Sequence, residues 1–338
     1  MGDHLSHATQ AAVATLLTFV VCTIGLALYL RKQRGQSTTD IAISSAFVGT
    51  VSVVALGVAA IAEDLHPLLV VAVLSGVAIS LSALARSLSI VPYGTPMLVL
   101  AFAAIAVVVT GAVFPATGFA LFDVPFSVIA IWAFSLICRE VDAAPGVLAP
   151  VAVVMLSGIT LIGFGRGDHQ LQTLTAAGVG GALALIWWTR MGGRGTIGPG
   201  AALFIGFALL TAIAGLRGPF WVAAFPIASG LLVIPIADSA TVFESRRKLK
   251  QPMFTPRADH LSHRLLAVGF SSTSTVALLV VAAGIGTTAS CLTAFKIIPW
   301  YVGLCIAWAT KITIVTWAIK HPVPTPEAEQ AASRTATS

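Results

Sequence analysis

Charge is what this sequence has least of. Of 338 residues, 9% are Asp, Glu, Lys or Arg and 57% are hydrophobic, and the mean hydropathy is +0.95. A soluble domain of this length needs a far larger charged surface, so that class is excluded. Segments of alternating polarity, which build transmembrane barrels, are also missing. The four cysteines, Cys22, Cys138, Cys291 and Cys305, make no CxxC pair and no Cys/His metal spacing. They point to small core residues, with a Cys291–Cys305 disulfide left open. The net charge of +6 does not suggest nucleic acid as a partner, because the Lys and Arg residues sit at the ends of apolar segments.

Long apolar stretches remain, each about 20 residues and able to cross roughly 30 Å of hydrocarbon as a helix. They predict an all-α, polytopic membrane protein of about 11 transmembrane helices, at 11–30, 41–62, 67–84, 96–114, 121–138, 147–164, 171–189, 199–215, 219–237, 269–290 and 297–318. The start (Met1–Gln10) carries Asp3 and no Lys or Arg, and Arg31-Lys32-Gln33-Arg34 follows the first stretch. The first helix is therefore expected to be retained, not cleaved, with its amino terminus outside. In that register Arg31, Lys32, Arg34, Arg86, Arg139, Arg190, Arg194 and the basic residues from Arg246 to Arg264 all fall in the cytoplasm, with Lys320. Only Arg166, Arg217 and Lys296 fall outside, as the excess of inner positive charge requires. One transmembrane domain is expected over 1–320, with a disordered cytoplasmic tail at 321–338.

The candidate chemistry lies in the inner loops. Ala85–Gly94 (ARSLSIVPYG) offers Arg86 and Tyr93 but no carboxylate, and reads as a polar turn. Arg139, Glu140 and Asp142 form a short charged cluster that suits a cation or a phosphate, or else neutralises itself. The run Thr189-Arg190-Met191-Gly192-Gly193-Arg194-Gly195-Thr196 leads into a helix start, where free N–H groups and two arginines suit phosphate. It lacks the Gly-Lys-Ser/Thr ending of a nucleotide P-loop. The longest inner loop, 238–268, is the richest. It holds Asp238, the basic run Arg246-Arg247-Lys248, and His260 and His263, which on a helix would share one face beside Arg264. Lys311, within the last apolar stretch, is the nearest thing to a transporter's intramembrane charge, and its long stem is expected to reach the inner surface.

Pro235-Ile236-Ala237-Asp238, the basic stretch, and Asp259-His260-Leu261-Ser262-His263-Arg264-Leu265-Leu266 together resemble the signature of the bacterial polyprenyl-phosphate sugar-1-phosphate transferases. That family includes the undecaprenyl-phosphate N-acetylglucosamine-1-phosphate transferases and, more distantly, the phospho-N-acetylmuramoyl-pentapeptide transferase. Its pattern is Pro-Ile-x-Asp, a basic stretch, then His-x-His-His-Arg-Leu, and Ser262 here replaces one histidine. The resemblance implies transfer of a sugar-1-phosphate from a UDP-sugar to polyprenyl phosphate with release of UMP, in cell-envelope synthesis at the bacterial plasma membrane. It implies Mg2+ as cofactor and polyprenyl phosphate and UDP-sugar as partners, with a homodimer as an open assembly. Carried onto this chain, Asp142, Asp238, His260 and His263 take catalytic roles and Asp142 also that of a metal ligand. Arg139, Arg190, Arg194 and Arg264 bind substrate phosphate.

The chain departs from the family at several acids. An Asp-Asp pair after the third helix falls at Ala85-Arg86, and an Asn-x-x-Asn-x-x-Asp-Gly loop falls at Leu136, Arg139 and Asp142, keeping only the aspartate. A Met-Gly-Asp-x-Gly-Ser motif becomes Met191-Gly192-Gly193-Arg194-Gly195-Thr196, and the first cytoplasmic loop is reduced to Arg31-Lys32-Gln33-Arg34-Gly35. Mg2+ binds chiefly through carboxylate and phosphate oxygens, so these changes remove ligands, whereas arginines can clamp phosphates themselves. Two expectations follow: a transferase with an altered site, or a catalytically inactive relative that binds lipid- or nucleotide-linked precursor or a partner protein.

Overall fold

The computed structural model describes the backbone of residues 2–32, 37–62, 65–141, 146–167, 171–190, 197–216, 224–250 and 259–321; within these, the side chains of 2–6, 8, 25–32, 37–45 and 189–190 lie outside the description. The expected tail beyond residue 321 also lies outside it. The described residues form thirteen helices. They are α1 (Gly2–Lys32), α2 (Ser37–Ile61), α3 (Pro67–Ser87), α4 (Thr95–Val109), α5 (Ala120–Glu140), α6 (Leu148–Arg166) and α7 (Gln172–Arg190). Then come α8 (Pro199–Ala214), α9 (Ala224–Leu231), α10 (Val233–Lys248), α11 (Leu261–Ala267), α12 (Ser272–Ala294) and α13 (Trp300–Lys320).

Helix starts follow local chemistry. Pro67 opens α3 where a missing N–H costs nothing, and the His66 ring accepts a hydrogen bond from Leu68 N–H at 3.2 Å. Pro199 opens α8 in the same way, and Gly167, at φ 73°, closes α6 in the left-handed conformation that glycine tolerates.

α3, α5, α6, α12 and α13 are long and apolar enough to cross a membrane, and α9 with α10 make a sixth such span if the pair is taken as one. Shorter apolar segments lie in α1, α2, α4 and α8. α8 is buried along its whole length from Gly200 to Ala214, packed against α5, α3 and α2. Large apolar side chains instead face outward from α4 and α5, with Phe102 70% and Leu121 79% exposed. A helix apolar on every side that turns such residues outward suits lipid, not water. The molecule is an all-helical, multi-pass membrane protein. Small residues let the helices close up: a Cβ on Gly180 of α7 would collide with the Thr15 carbonyl of α1.

Each of the eleven expected segments overlaps a described helix. The ninth differs: it breaks into α9 and α10, bent by 70°, and α10 runs on to Lys248 instead of ending near residue 237. Pro235 accounts for the break, since it has no N–H for the Leu231 carbonyl and its ring crowds that same group. Carbonyls in the last turn of a broken helix need donors from elsewhere. α12 and α13 supply them. Ser290 Oγ donates to Ile227 O at 2.9 Å, and Lys311 Nζ donates to Ser229 O at 3.1 Å and to Ser229 Oγ at 2.6 Å. Lys311 is 4% exposed, with its ammonium 4.6 Å from the Trp308 ring centre. The expectation that its stem reaches the inner surface is corrected: the ammonium is spent inside, on the broken helix.

All four cysteines are free. Cys22 and Cys138 are buried as expected, whereas Cys305 is exposed. The turn after α3 is more ordered than its polarity suggests, with the Arg86 guanidinium 5.2 Å from the Tyr93 ring centre.

Candidate functional site

The break in α9–α10 carries Asp238 to one end of the bundle, beside the carboxyl end of α5 and the start of α11. Asp238 as a residue is 3% exposed, and its carboxylate meets the chain again 22 residues later. Its Oδ1 accepts a hydrogen bond from Leu261 N–H at 2.6 Å, and His260 Nδ1 donates to Oδ2 at 2.7 Å. A carboxylate only accepts, so the proton sits on Nδ1, and Nε2 is the ring atom left for chemistry. Beside Asp238 there is a void of about 10 Å³, lined by Val141, Val147, Ile234, Leu261, Ser262 and Leu279. That holds at most one water.

The segment presenting His260 is held firmly. Arg246 grips Asp259 with a two-pronged ion pair, Nε to Oδ2 and Nη2 to Oδ1, both at 3.0 Å. Arg264 Nε donates to the Asp259 carbonyl at 3.0 Å, and Nη1 donates to the Ala318 carbonyl of α13 at 2.9 Å. Fork geometry and burial make these contacts orienting ones.

Glu140, the last residue of α5, faces the other side of the imidazole. Its Oε2 lies 3.9 Å from His260 Nε2, and its Oε1 lies 3.7 Å from Arg139 Nε. Burial works against a charged His260 ring. The hydrogen bond and charge of Asp238 outweigh it, with Glu140 and Asp259 adding, and the pKa stands above the ordinary 6.5. The folded protein thus holds this proton more tightly than the unfolded chain does. The resulting stabilisation is fully present below pH 6.5 and disappears as pH rises through the raised folded-state value. Thermal unfolding followed from pH 5.5 to 9 should show that loss, and a His260→Gln variant should show less of it. Equal slopes would refute it.

The structure therefore brings together Asp238, His260 and Arg139 from the expected set. The ring of His263, half-buried on α11, lies 6.4 Å from that of His260, centre to centre. Arg264 sits inside the fold, its donors directed to main-chain carbonyls. Asp142 and Arg194 lie outside the described residues, and Arg190 ends α7 with its side chain outside the description. The sequence gives Glu140 a place in a cluster suited to a cation or a phosphate, and it gives Arg246 and Asp259 places in the signature without a catalytic role.

Mg2+ needs open carboxylate oxygens. Asp238 and Asp259 each have both oxygens engaged by donors, and Glu140 lies between Arg139 and His260. Among the described residues no group of three or more His, Cys, Asp or Glu is gathered to hold a metal ion. The described carboxylates do not fit the ion.

No family model matches the chain. It is 31% identical over 147 residues to a Streptomyces coelicolor protein provisionally named a glycosyltransferase, covering 42% of this chain and 34% of that one. It is 24% identical over 156 residues to a Bacillus subtilis protein provisionally named an undecaprenyl-phosphate N-acetylglucosaminyl 1-phosphate transferase, covering 46% and 44%. The chain thus spans between a third and a half of the length of these curated relatives. An all-helical membrane protein with a buried Asp–His pair at one bundle end is the class defined. Its distant likenesses are to proteins with transferase names.

Proposed function

We propose that this chain is a polyprenyl-phosphate sugar-1-phosphate transferase of the bacterial plasma membrane, with its Asp238–His260 end in the cytoplasm where UDP-sugars are found. The single observation that carries the reading is the Asp238–His260 hydrogen bond at 2.7 Å, which unites the two halves of the last-loop motif. In the reaction, an oxygen of the lipid phosphate attacks the sugar-bearing phosphorus of the UDP-sugar. The bond to the bridging oxygen breaks and UMP leaves with its electron pair. His260, whose protonated form Asp238 favours, offers Nε2–H to a phosphoryl oxygen when protonated and then opposes the negative charge that gathers there. The Mg2+ that the family resemblance implies takes no part in this step, because the described carboxylates do not fit it.

A second reading, binding of precursor without turnover, is favoured by the pairing of Asp259 with Arg246 and of Glu140 with Arg139 and His260. These pairs leave the described acids neutralised by protein cations. The discriminating experiment is UMP release by the full chain in detergent, with Mg2+, polyprenyl phosphate and a panel of UDP-N-acetylhexosamines. Release above a protein-free control is expected from the transferase. Binding of either substrate with no UMP supports the second reading.

A further inference from the structure

We propose that the Glu140 carboxylate occupies a phosphate slot between Arg139 and His260, which a ligand phosphoryl group enters by displacing it. The inference rests on the reading above, in which His260 meets phosphate, and adds the residue that controls entry. Glu140 gives one oxygen to each cation, at 3.7 Å and 3.9 Å, beyond hydrogen-bond length on both sides. A tetrahedral phosphoryl group is larger than a carboxylate and carries more oxygens. Untethered from a helix, it can settle where its oxygens meet groups that Glu140 meets only at 3.7 Å and 3.9 Å.

Three further observations agree. Glu140 is the terminal residue of α5, where the carbonyl end of the helix disfavours an anion, so the two cations hold it against the helix dipole. Its side chain is 48% exposed against 5% for Asp238, so of the two carboxylates on His260 it is the one free to swing away. The void beside Asp238, about 10 Å³, is too small for a phosphoryl group. Arg246 and Arg264, meanwhile, are committed to Asp259 and to main-chain carbonyls. Arg139 and His260 each come within 4 Å of Glu140, and Arg246 adds its charge to the same carboxylate. Glu140 acts as a selectivity element: a weak or singly charged anion does not repay its displacement, whereas a phosphate monoester does.

The phosphoryl group has two sources, the lipid carrier and the nucleotide. The test titrates the full chain in detergent with inorganic phosphate, with a short-chain polyprenyl monophosphate and with uridine monophosphate, by calorimetry. Glu140→Gln is expected to bind at least one of them about two- to fivefold more tightly than the wild type, the range for losing a half-exposed ion pair. Arg139→Gln should bind more weakly, and Glu140→Gln combined with His260→Asn should lose the gain. A gain confined to the polyprenyl compound assigns the slot to the carrier, and one confined to uridine monophosphate assigns it to the nucleotide. Equal or weaker binding by Glu140→Gln overturns the slot while leaving the transferase reading intact. Absence of binding by both proteins to all three compounds overturns both. Glu140→Ala, with matching unfolding temperatures, checks that the gain comes from lost charge.

Discussion

Replacing Arg246 by Met is expected to destabilise the protein by about 3–5 kcal/mol, the cost of leaving a buried charge without its partner. Asp259 is 1% exposed and receives both prongs of the Arg246 guanidinium. Without them its carboxylate stays buried against protein, and the segment presenting His260 loses its firmest hold. Replacing both members, Arg246→Met with Asp259→Leu, should recover most of the loss, because two apolar side chains leave nothing unpaired. Unfolding in detergent by heat or denaturant, run as a double-mutant cycle, measures the coupling. A loss below about 1 kcal/mol for the single variant would mean a solvated pair of small value and would refute this account.

On the proposed transferase reading, Asp238→Asn is expected to lower UMP release by about a hundredfold or more, within the range that a positioned proton-bearing group contributes. The asparagine oxygen can still accept from Leu261 N–H, so the loop keeps one of its two anchors. The other is inverted. An amide N–H facing His260 Nδ1 must donate, which drives the ring proton to Nε2, leaves the ring neutral and removes the charge aimed at phosphate. Phosphate binding should weaken together with turnover, and the pH dependence of stability between pH 6.5 and the raised folded-state value should flatten. An Asp238→Asn protein that releases UMP at the wild-type rate would remove this pair from the reaction.

Much of the fold was legible because membrane insertion imposes a strong, local rule. Runs of apolar residues long enough to span hydrocarbon stand out without knowledge of their neighbours, and each expected run meets a helix. The failures have equally local causes that were misweighed. Charge after residue 237 looked like the end of a helix, yet a helix at a membrane surface carries charged residues readily. The stop signal that mattered was Pro235, and it broke the helix without ending it. The loop from 238 to 268 holds the short α11, with His263 on it and His260 at its amino-terminal cap. Within the site, Asp238 and His260 were legible from a motif. The roles of Glu140, Arg246 and Asp259 were not, since they come from contacts between segments distant in sequence that only packing defines. Arg264 was read as a phosphate ligand because arginine in a basic loop suggests one, whereas its burial against α13 could not be seen from the loop alone.

The cap that Lys311 provides has a consequence for how the chain assembles. Helices emerge in chain order during synthesis, so α9 and α10 meet the bilayer before α13 exists. Until then the Ser229 carbonyl at the break lacks the ammonium that later binds it, and an unsatisfied polar group in hydrocarbon costs several kcal/mol. The Ala318 carbonyl that receives Arg264 arrives with the same helix. The bent span and the Asp238–His260 end are therefore completed together when α13 docks.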